Sequence, residues 1–104
     1  MGKSKKGTDR KGDVQVLDRV KRPRRYRVIL HNDNYTPRAF VVQVLAEIFR
    51  LPPARAAQIM LAVHNSERGL IGVWSHEIAE SKSTQANTLA REYGFPMMTT
   101  TEPE

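Results

Sequence analysis

Two adjacent prolines, Pro52 and Pro53, divide the longest stretch of helical hydrophobic periodicity in the sequence. On both sides of the pair, apolar residues recur at the three- and four-residue spacing of one helix face. Proline disfavours a helical conformation in the residue before it and is readily accepted in the first turn of a new helix. The pattern therefore predicts one amphipathic helix over 37–50, a stop at Leu51 and a second helix that begins at the proline pair.

Short β-rich segments flank these helices and are bounded by residues that favour turns. The composition predicts strands over 26–31, 70–74 and 96–101. Ser75 is a suitable N-cap for a third amphipathic helix, and Gly94 is a natural residue for its C-terminal end. The resulting order, β-α-α-β-α-β, predicts an α+β fold in which helices cover one face of a small sheet.

The chain has 104 residues, which is enough for one domain with a single modest core. It contains no cysteine, so disulfides, thiolate metal sites and cysteine nucleophiles are excluded. No apolar run approaches the roughly 20 residues of a membrane-spanning helix. The charged N-terminus lacks the apolar region of a secretory signal. We therefore expect a cytoplasmic protein.

The net charge of +6 is concentrated at the N-terminus. Residues 1–25 hold ten basic and three acidic residues, a net charge of +7. The rest of the chain holds seven basic and eight acidic residues, a net charge of −1. The first segment has too few apolar groups to offset the entropy lost when a chain is ordered. We therefore predict a disordered basic extension over 1–25, a folded core over 26–101 and a short tail over 102–104.

The basic extension makes a small RNA- or ribosome-associated domain the main alternative to a protein-binding domain. Cationic side chains bind phosphates by releasing counterions, and this binding weakens as salt is added. The extension has no aromatic residue before Tyr26 on which bases could stack, so nucleic acid is not the expected partner. Salt-dependent RNA binding without selectivity for protein N-termini would favour this alternative.

The densest polar cluster, His31-Asn32-Asp33-Asn34, lies between the first predicted strand and the first helix. Asn and Asp favour turns, so a turn followed by a helix cap at Thr36 is one interpretation. Polar groups at the end of a strand also commonly form a ligand site. The histidines show no metal-binding spacing, and no serine lies in a nucleophile motif. No enzyme activity, metal or cofactor is therefore expected.

Four motifs together resemble one known family. They are V-I-L-H-N-D-N-Y-T-P at 28–37, M-L-A-V-H at 60–64, G-V-W-S-H-E-I-A-E-S-K at 72–82 and F-P-M-M-T at 95–99. Their order is similar to that in ClpS, the adaptor of the Clp protease, and the resemblance covers about 25–101 without large gaps. The combination is much more specific than any one of the motifs.

The resemblance implies both a fold and a function. ClpS proteins are similar to the C-terminal domain of the ribosomal stalk protein, with a three-stranded antiparallel sheet and three helices. They bind N-degrons, whose first residue has a free α-amino group and a bulky apolar side chain, typically Leu, Phe, Tyr or Trp. They deliver these substrates to an AAA+ unfoldase, ClpA or ClpC, that is coupled to the ClpP protease. The resemblance implies a monomeric adaptor that binds neither cofactor nor membrane.

Site residues also follow from the resemblance. Asn32 and His64 match direct acceptors for the α-ammonium group of the substrate, and Asn34 matches a position that binds it through water. Glu77 and Lys82 match the surface that docks on the N-terminal domain of the unfoldase. The residues that match the apolar side-chain pocket are Leu30, Thr36, Arg38, Val41, Met60, Val63 and Met97.

Two of these residues depart from the commonest pattern of the family. Asn34 stands where most members have Asp, so the site keeps an acceptor but loses a negative charge. Arg38 stands at the gate of the pocket, where most members have Met. An arginine can lay its stem over apolar surface while its head contacts aromatic rings through cation–π interactions. We therefore expect an altered choice of first residue, with aromatic side chains favoured.

Overall fold

The structure is a computed structural model that describes residues 24–104. The predicted basic extension over 1–25 therefore lies almost wholly outside the described residues. The elements follow in the predicted order: β1 (Arg25–His31), α1 (Arg38–Glu47), α2 (Pro53–Ser66), β2 (Arg68–Ser75), α3 (His76–Glu92) and β3 (Met98–Pro103). Within this described part of the chain, no helix is long and apolar enough to cross a membrane.

Strand β1 lies at the centre of an antiparallel three-stranded sheet with the order β2-β1-β3. Leu30 of β1 pairs with Gly69 of β2 on one side and with Thr99 of β3 on the other. The register of β1 against β2 shifts between Val28 and Ile29, as it does at a β-bulge. The sheet and its three helices confirm the predicted α+β fold.

The hydrophobic core is formed by the sheet and the helices that pack on it. Val28 and Leu30 lie two residues apart on β1, so they point to the same face of the sheet, and both are almost fully buried. Larger core side chains on the first two helices are Phe40, Val44, Leu45, Ile59 and Val63. Helix α3 contributes Ala79, Ala86 and Ala90, which are fully buried. Their small size allows α3 to lie close to its neighbours.

Helix α1 is shorter than predicted, because it spans Arg38–Glu47 instead of 37–50. Arg50 adopts a left-handed backbone conformation, with a φ of 59°, that turns the chain out of the helix. The Lys82 ammonium group of α3 donates a 2.9 Å hydrogen bond to the Ile48 carbonyl, one of the groups that a helix end leaves unpaired. Helix α2 begins at Pro53, so the predicted boundary at the proline pair is confirmed.

The predicted helix cap at Thr36 is wrong. Pro37 occupies the N-cap position of α1, and a proline side chain cannot cap a helix. The Thr36 hydroxyl instead donates a 2.9 Å hydrogen bond to Oδ2 of Asp33. At α3 the predicted cap is confirmed, because the Ser75 hydroxyl accepts a hydrogen bond of 3.4 Å from the Ile78 N–H.

Strand β3 begins at Met98 instead of the predicted residue 96, and it extends beyond its predicted end at residue 101 into the predicted tail. The Glu102 carboxylate lies 3.6 Å from Nη1 of Arg27 on β1 and 3.2 Å from Nη2 of Arg68 on β2. These contacts cross the sheet and join the end of β3 to both of the other strands. Glu102 and Pro103 belong to β3 because they pair with Arg27 and Tyr26 of β1, and the composition of the segment did not indicate this pairing.

Candidate functional site

A cavity of about 240 Å³ opens where the end of β1, the start of α1, the C-terminal half of α2 and the approach to β3 meet. Every residue that was predicted for the α-amino site or for the side-chain pocket lines it. His31 and Asp33 line it as well and were not predicted. The lining residues are Leu30, His31, Asn32, Asp33, Asn34, Thr36, Arg38, Val41, Met60, Val63, His64 and Met97.

The floor of this cavity is apolar. Leu30, Val63 and Met97 are each at most 3% exposed, and Val41 and Met60 are half-buried. Methionine is unbranched and polarisable, so it adapts to neighbours of different shape. The floor therefore suits an apolar group and tolerates variation in its outline.

Gly69 of β2 lies directly against the floor residue Val63. A Cβ atom on Gly69 would be 2.7 Å from Cγ2 of Val63, which is closer than two carbon atoms can pack. We expect Gly69→Ala to lower the free energy of unfolding by roughly 1–3 kcal/mol, as overpacking of a buried site does. Urea denaturation would measure the loss beside Leu70→Ala, a control at a side chain that is 45% exposed. A Gly69→Ala protein as stable as the parent would contradict the close packing.

The rim of the cavity is polar and is built by the loop between β1 and α1. Oδ1 of Asp33 accepts hydrogen bonds from the N–H groups of Tyr35 and Thr36, at 2.8 and 2.7 Å. Oδ2 accepts the bond from the Thr36 hydroxyl, so both carboxylate oxygens are engaged within the turn. The neighbouring Asn32 and Asn34 side chains remain exposed. The polar cluster therefore forms the turn that its composition predicts and also lines the cavity.

His31 and Asp33 line the cavity but were not predicted to do so, and both make hydrogen bonds within the protein. Those of Asp33 lie within the turn, as described above. Nε2 of His31 lies 2.7 Å from the Thr100 hydroxyl oxygen on β3. The backbone N–H of Asn32 donates a 2.7 Å hydrogen bond to the Glu67 carbonyl just after α2. The loop is thus tied to two neighbouring elements. The position of His31 and Asp33 inside the polar cluster at 31–34 had indicated a possible ligand site, but the resemblance assigned a role only to the two asparagines within it.

His64 lies in the last turn of α2 and is engaged by an arginine from α1. Nη2 of Arg38 and Nε2 of His64 are 2.8 Å apart. A guanidinium group can only donate hydrogen bonds, so Nε2 of His64 is the acceptor in this contact. The Nε2 acceptor of His64 is therefore already in use in the free protein.

Glu77 and Lys82, the residues predicted to dock on an unfoldase, line a second groove of about 560 Å³ between the end of α1 and helix α3. Glu77 is exposed, whereas Lys82 is half-buried. Besides its bond to the Ile48 carbonyl, the Lys82 ammonium nitrogen lies 5.7 Å from the centre of the Trp74 ring, within cation–π range. The two residues thus share one surface, and Lys82 has an intramolecular role that its position in the sequence did not indicate.

Comparison with known proteins identifies the family. Residues 21–100 match the family model described as "ATP-dependent Clp protease adaptor protein ClpS". The chain belongs to the ClpS family. The ClpS adapter of Syntrophus aciditrophicus is 45% identical over 92 residues, which cover 88% of this chain and 86% of that protein. The ClpS adapter of Nitratidesulfovibrio vulgaris is 47% identical over 90 residues, or 86% of each chain.

A solved ClpS structure shares the fold. Agrobacterium tumefaciens ClpS2 bound to L-phenylalaninamide matches this chain with a TM-score of 0.78 and 43% sequence identity, covering 80% of this chain and 100% of that one. The predicted ClpS resemblance is therefore confirmed in sequence and in fold. Because the ClpS model and the relatives are described as protease adaptors, the adaptor prediction is confirmed.

Proposed function

We propose that this ClpS-family chain recognises N-degrons and delivers them to a Clp AAA+ unfoldase for degradation by ClpP. One cavity carries the proposal, because it combines a polar rim of Asn32, Asn34 and His64 with an apolar floor. ClpS2 of Agrobacterium tumefaciens is bound to L-phenylalaninamide, a ligand that joins a free α-amino group to an apolar ring. The proposed substrates are proteins that begin with Leu, Phe, Tyr or Trp.

The polar rim has the chemistry to hold an ammonium group. A free α-amino group has a pKa of about 7.7–8.0, so at pH 7 it is mostly a cation with three N–H donors. In the proposed complex, the Asn32 amide oxygen and Nε2 of His64 accept two of these bonds, and Asn34 accepts the third through water. A hydrogen bond to a charged group contributes about 1.5–3 kcal/mol. The rim therefore supports recognition of free N-termini.

The apolar floor supports selection of a bulky first residue. An apolar cavity of roughly 150 Å³ is large enough for benzene, and this cavity measures about 240 Å³. Burial of a Leu or Phe side chain contributes about 1.5–3 kcal/mol. The side chain alone falls well short of the roughly 8 kcal/mol of a micromolar complex, and the amine reaches that value only at the top of its range. Tight binding therefore requires both.

Binding of L-phenylalaninamide tests the proposal. We expect it to bind about 10- to 100-fold more tightly than L-alaninamide, because the ring fills the floor while the amine is unchanged. An NMR titration would measure both affinities and is expected to show the largest amide shifts in the loop at 32–36 and at Val63 and Met97. Similar affinities for the two amides, or shifts confined to the groove of Glu77 and Lys82, would contradict the proposal.

Delivery requires a second surface, and the groove that contains Glu77 and Lys82 is the proposed contact with the N-terminal domain of a ClpA- or ClpC-type unfoldase. The exposed carboxylate of Glu77 supports this role, since it is open to a partner. The chain is proposed to act as a monomer with no catalytic activity of its own. An ATP-dependent partner works where ATP is available, which favours the cytoplasm.

A further inference from the structure

Arg38, the first residue of α1, uses an acceptor that the proposed function assigns to the substrate. Its Nη2 atom donates a 2.8 Å hydrogen bond to Nε2 of His64, 26 residues away in the sequence. Both side chains line the cavity, and both are exposed. A cation of the protein therefore lies where the ammonium group of a substrate is expected to bind.

One acceptor nitrogen cannot serve both cations. A neutral imidazole has a single acceptor nitrogen, and its other nitrogen carries a proton. In the free protein Nε2 of His64 lies 2.8 Å from Nη2 of Arg38 and accepts its hydrogen bond. An ammonium group that binds to this atom must first displace the guanidinium group.

The charges around the cavity do not offset this competition. Asp33 is the one carboxylate among the described lining residues, and both of its oxygens are bonded within the turn. A guanidinium group that stayed beside His64 would also repel an incoming ammonium group, because like charges at contact distance repel. Substrate binding therefore requires Arg38 to move away from the rim.

We propose that Arg38 keeps the amine acceptor of the free adaptor occupied, so that substrate binding exchanges one cation for another and Arg38 sets the affinity of the site. The inference rests on the proposed recognition of a free α-amino group. A ligand without that amine does not compete for Nε2 of His64 and gains nothing when Arg38 is removed. The preference for aromatic first residues that is expected from Arg38 applies only after its guanidinium group has moved away from the His64 imidazole.

Replacement of Arg38 by Met removes the competing cation and keeps an unbranched side chain. We expect Arg38→Met to bind a Phe-initiated peptide about tenfold more tightly than the parent protein, and to show no gain for the N-acetylated peptide. Arg55→Met is the matched control, because Arg55 is an exposed cation of α2 that is not among the lining residues. Its affinity should stay within about twofold of the parent, since a distant surface charge is screened. Isothermal titration calorimetry would measure these affinities.

A His64→Ala background shows whether Arg38 acts through His64. The gain from Arg38→Met is expected to shrink there to less than about twofold, because no acceptor remains to be freed. A gain of equal size in both backgrounds would overturn the inference, since Arg38 would then act by its charge alone.

The failure of this inference is distinguishable from failure of the proposed function. If Arg38→Met binds no more tightly while the parent still prefers the free amine to the N-acetylated peptide, the inference is overturned and the proposed function stands. If the parent binds both peptides equally, the ammonium site is refuted, and the role of Arg38 is refuted with it.

Discussion

A peptide that begins with Phe is expected to lose at least about 100-fold in affinity for this protein when its α-amino group is acetylated. Acetylation replaces a cation with three donors by a neutral amide with one. The hydrogen bonds to Asn32 and His64 in the proposed complex are then lost, at about 1.5–3 kcal/mol each. The apolar floor still accepts the ring, so the residual affinity should be that of side-chain burial alone.

Fluorescence anisotropy, with the dye at the C-terminus of the peptide, would measure both affinities without changing the N-terminus. A peptide acetylated on an internal lysine is the matched control and should bind like the unmodified peptide. Equal affinities for the free and N-acetylated peptides would refute the ammonium site. Membership of the ClpS family would be unaffected, because it rests on sequence and fold.

The same pair of peptides tests the role of the rim residue Asn32. In an Asn32→Ala protein, the preference for the free amine is expected to fall by about tenfold, since one charge-assisted hydrogen bond is removed. Asn65→Ala is the control, because Asn65 is also exposed but is not among the lining residues of the cavity. An unchanged preference in Asn32→Ala would place the amine on other groups.

The elements that could be predicted from the sequence depend on interactions within a few residues. The proline pair starts α2, Ser75 caps α3, and Gly94 adopts a left-handed φ of 79° after that helix. Each of these signals acts on the backbone next to it, so it can be recognised without knowledge of the fold. The cap predicted at Thr36 is wrong, because the helix begins one residue later than expected and Pro37 occupies the N-cap position.

Contacts between distant residues could not be predicted in this way. Arg38 and His64 are 26 residues apart, and Lys82 and Ile48 are 34 apart, so their pairing depends on how the helices pack. The lining of the cavity was predicted only through resemblance to ClpS, which supplies the three-dimensional arrangement that local patterns lack. The occupied state of the His64 acceptor depends on Arg38, and the resemblance alone did not indicate this contact.

Asn87→Ala is expected to lower the free energy of unfolding by roughly 2–4 kcal/mol. Thr99 of β3 is only 2% exposed. Its N–H donates to Oδ1 of Asn87 at 2.8 Å, and its carbonyl accepts from Nδ2 at 3.0 Å. The Asn87 amide thus pairs with β3 as a neighbouring strand would. Its truncation leaves the buried Thr99 N–H without this acceptor, which alone costs about 1–3 kcal/mol.

Ser83 provides a graded comparison on the same helix. Its hydroxyl donates a 3.2 Å hydrogen bond to the Thr99 carbonyl, so that carbonyl keeps one partner when either side chain is truncated. We therefore expect Ser83→Ala to cost less than Asn87→Ala, and Thr88→Ala, at an exposed position, to change stability by less than about 0.5 kcal/mol. Urea unfolding curves would measure all three. A loss in Ser83→Ala as large as that in Asn87→Ala would contradict the strand-like role of the amide.

The effect of Asn87 on stability is expected to be separable from recognition in the cavity. Asn87 is not among the lining residues, although its partner Thr99 pairs with the floor residue Leu30. A ligand raises stability by an amount set by its concentration and its dissociation constant for the folded protein. L-Phenylalaninamide should therefore raise the melting temperatures of Asn87→Ala and of the parent by similar amounts. A much smaller rise in the variant would mean that the pairing of Asn87 with Thr99 also shapes the floor.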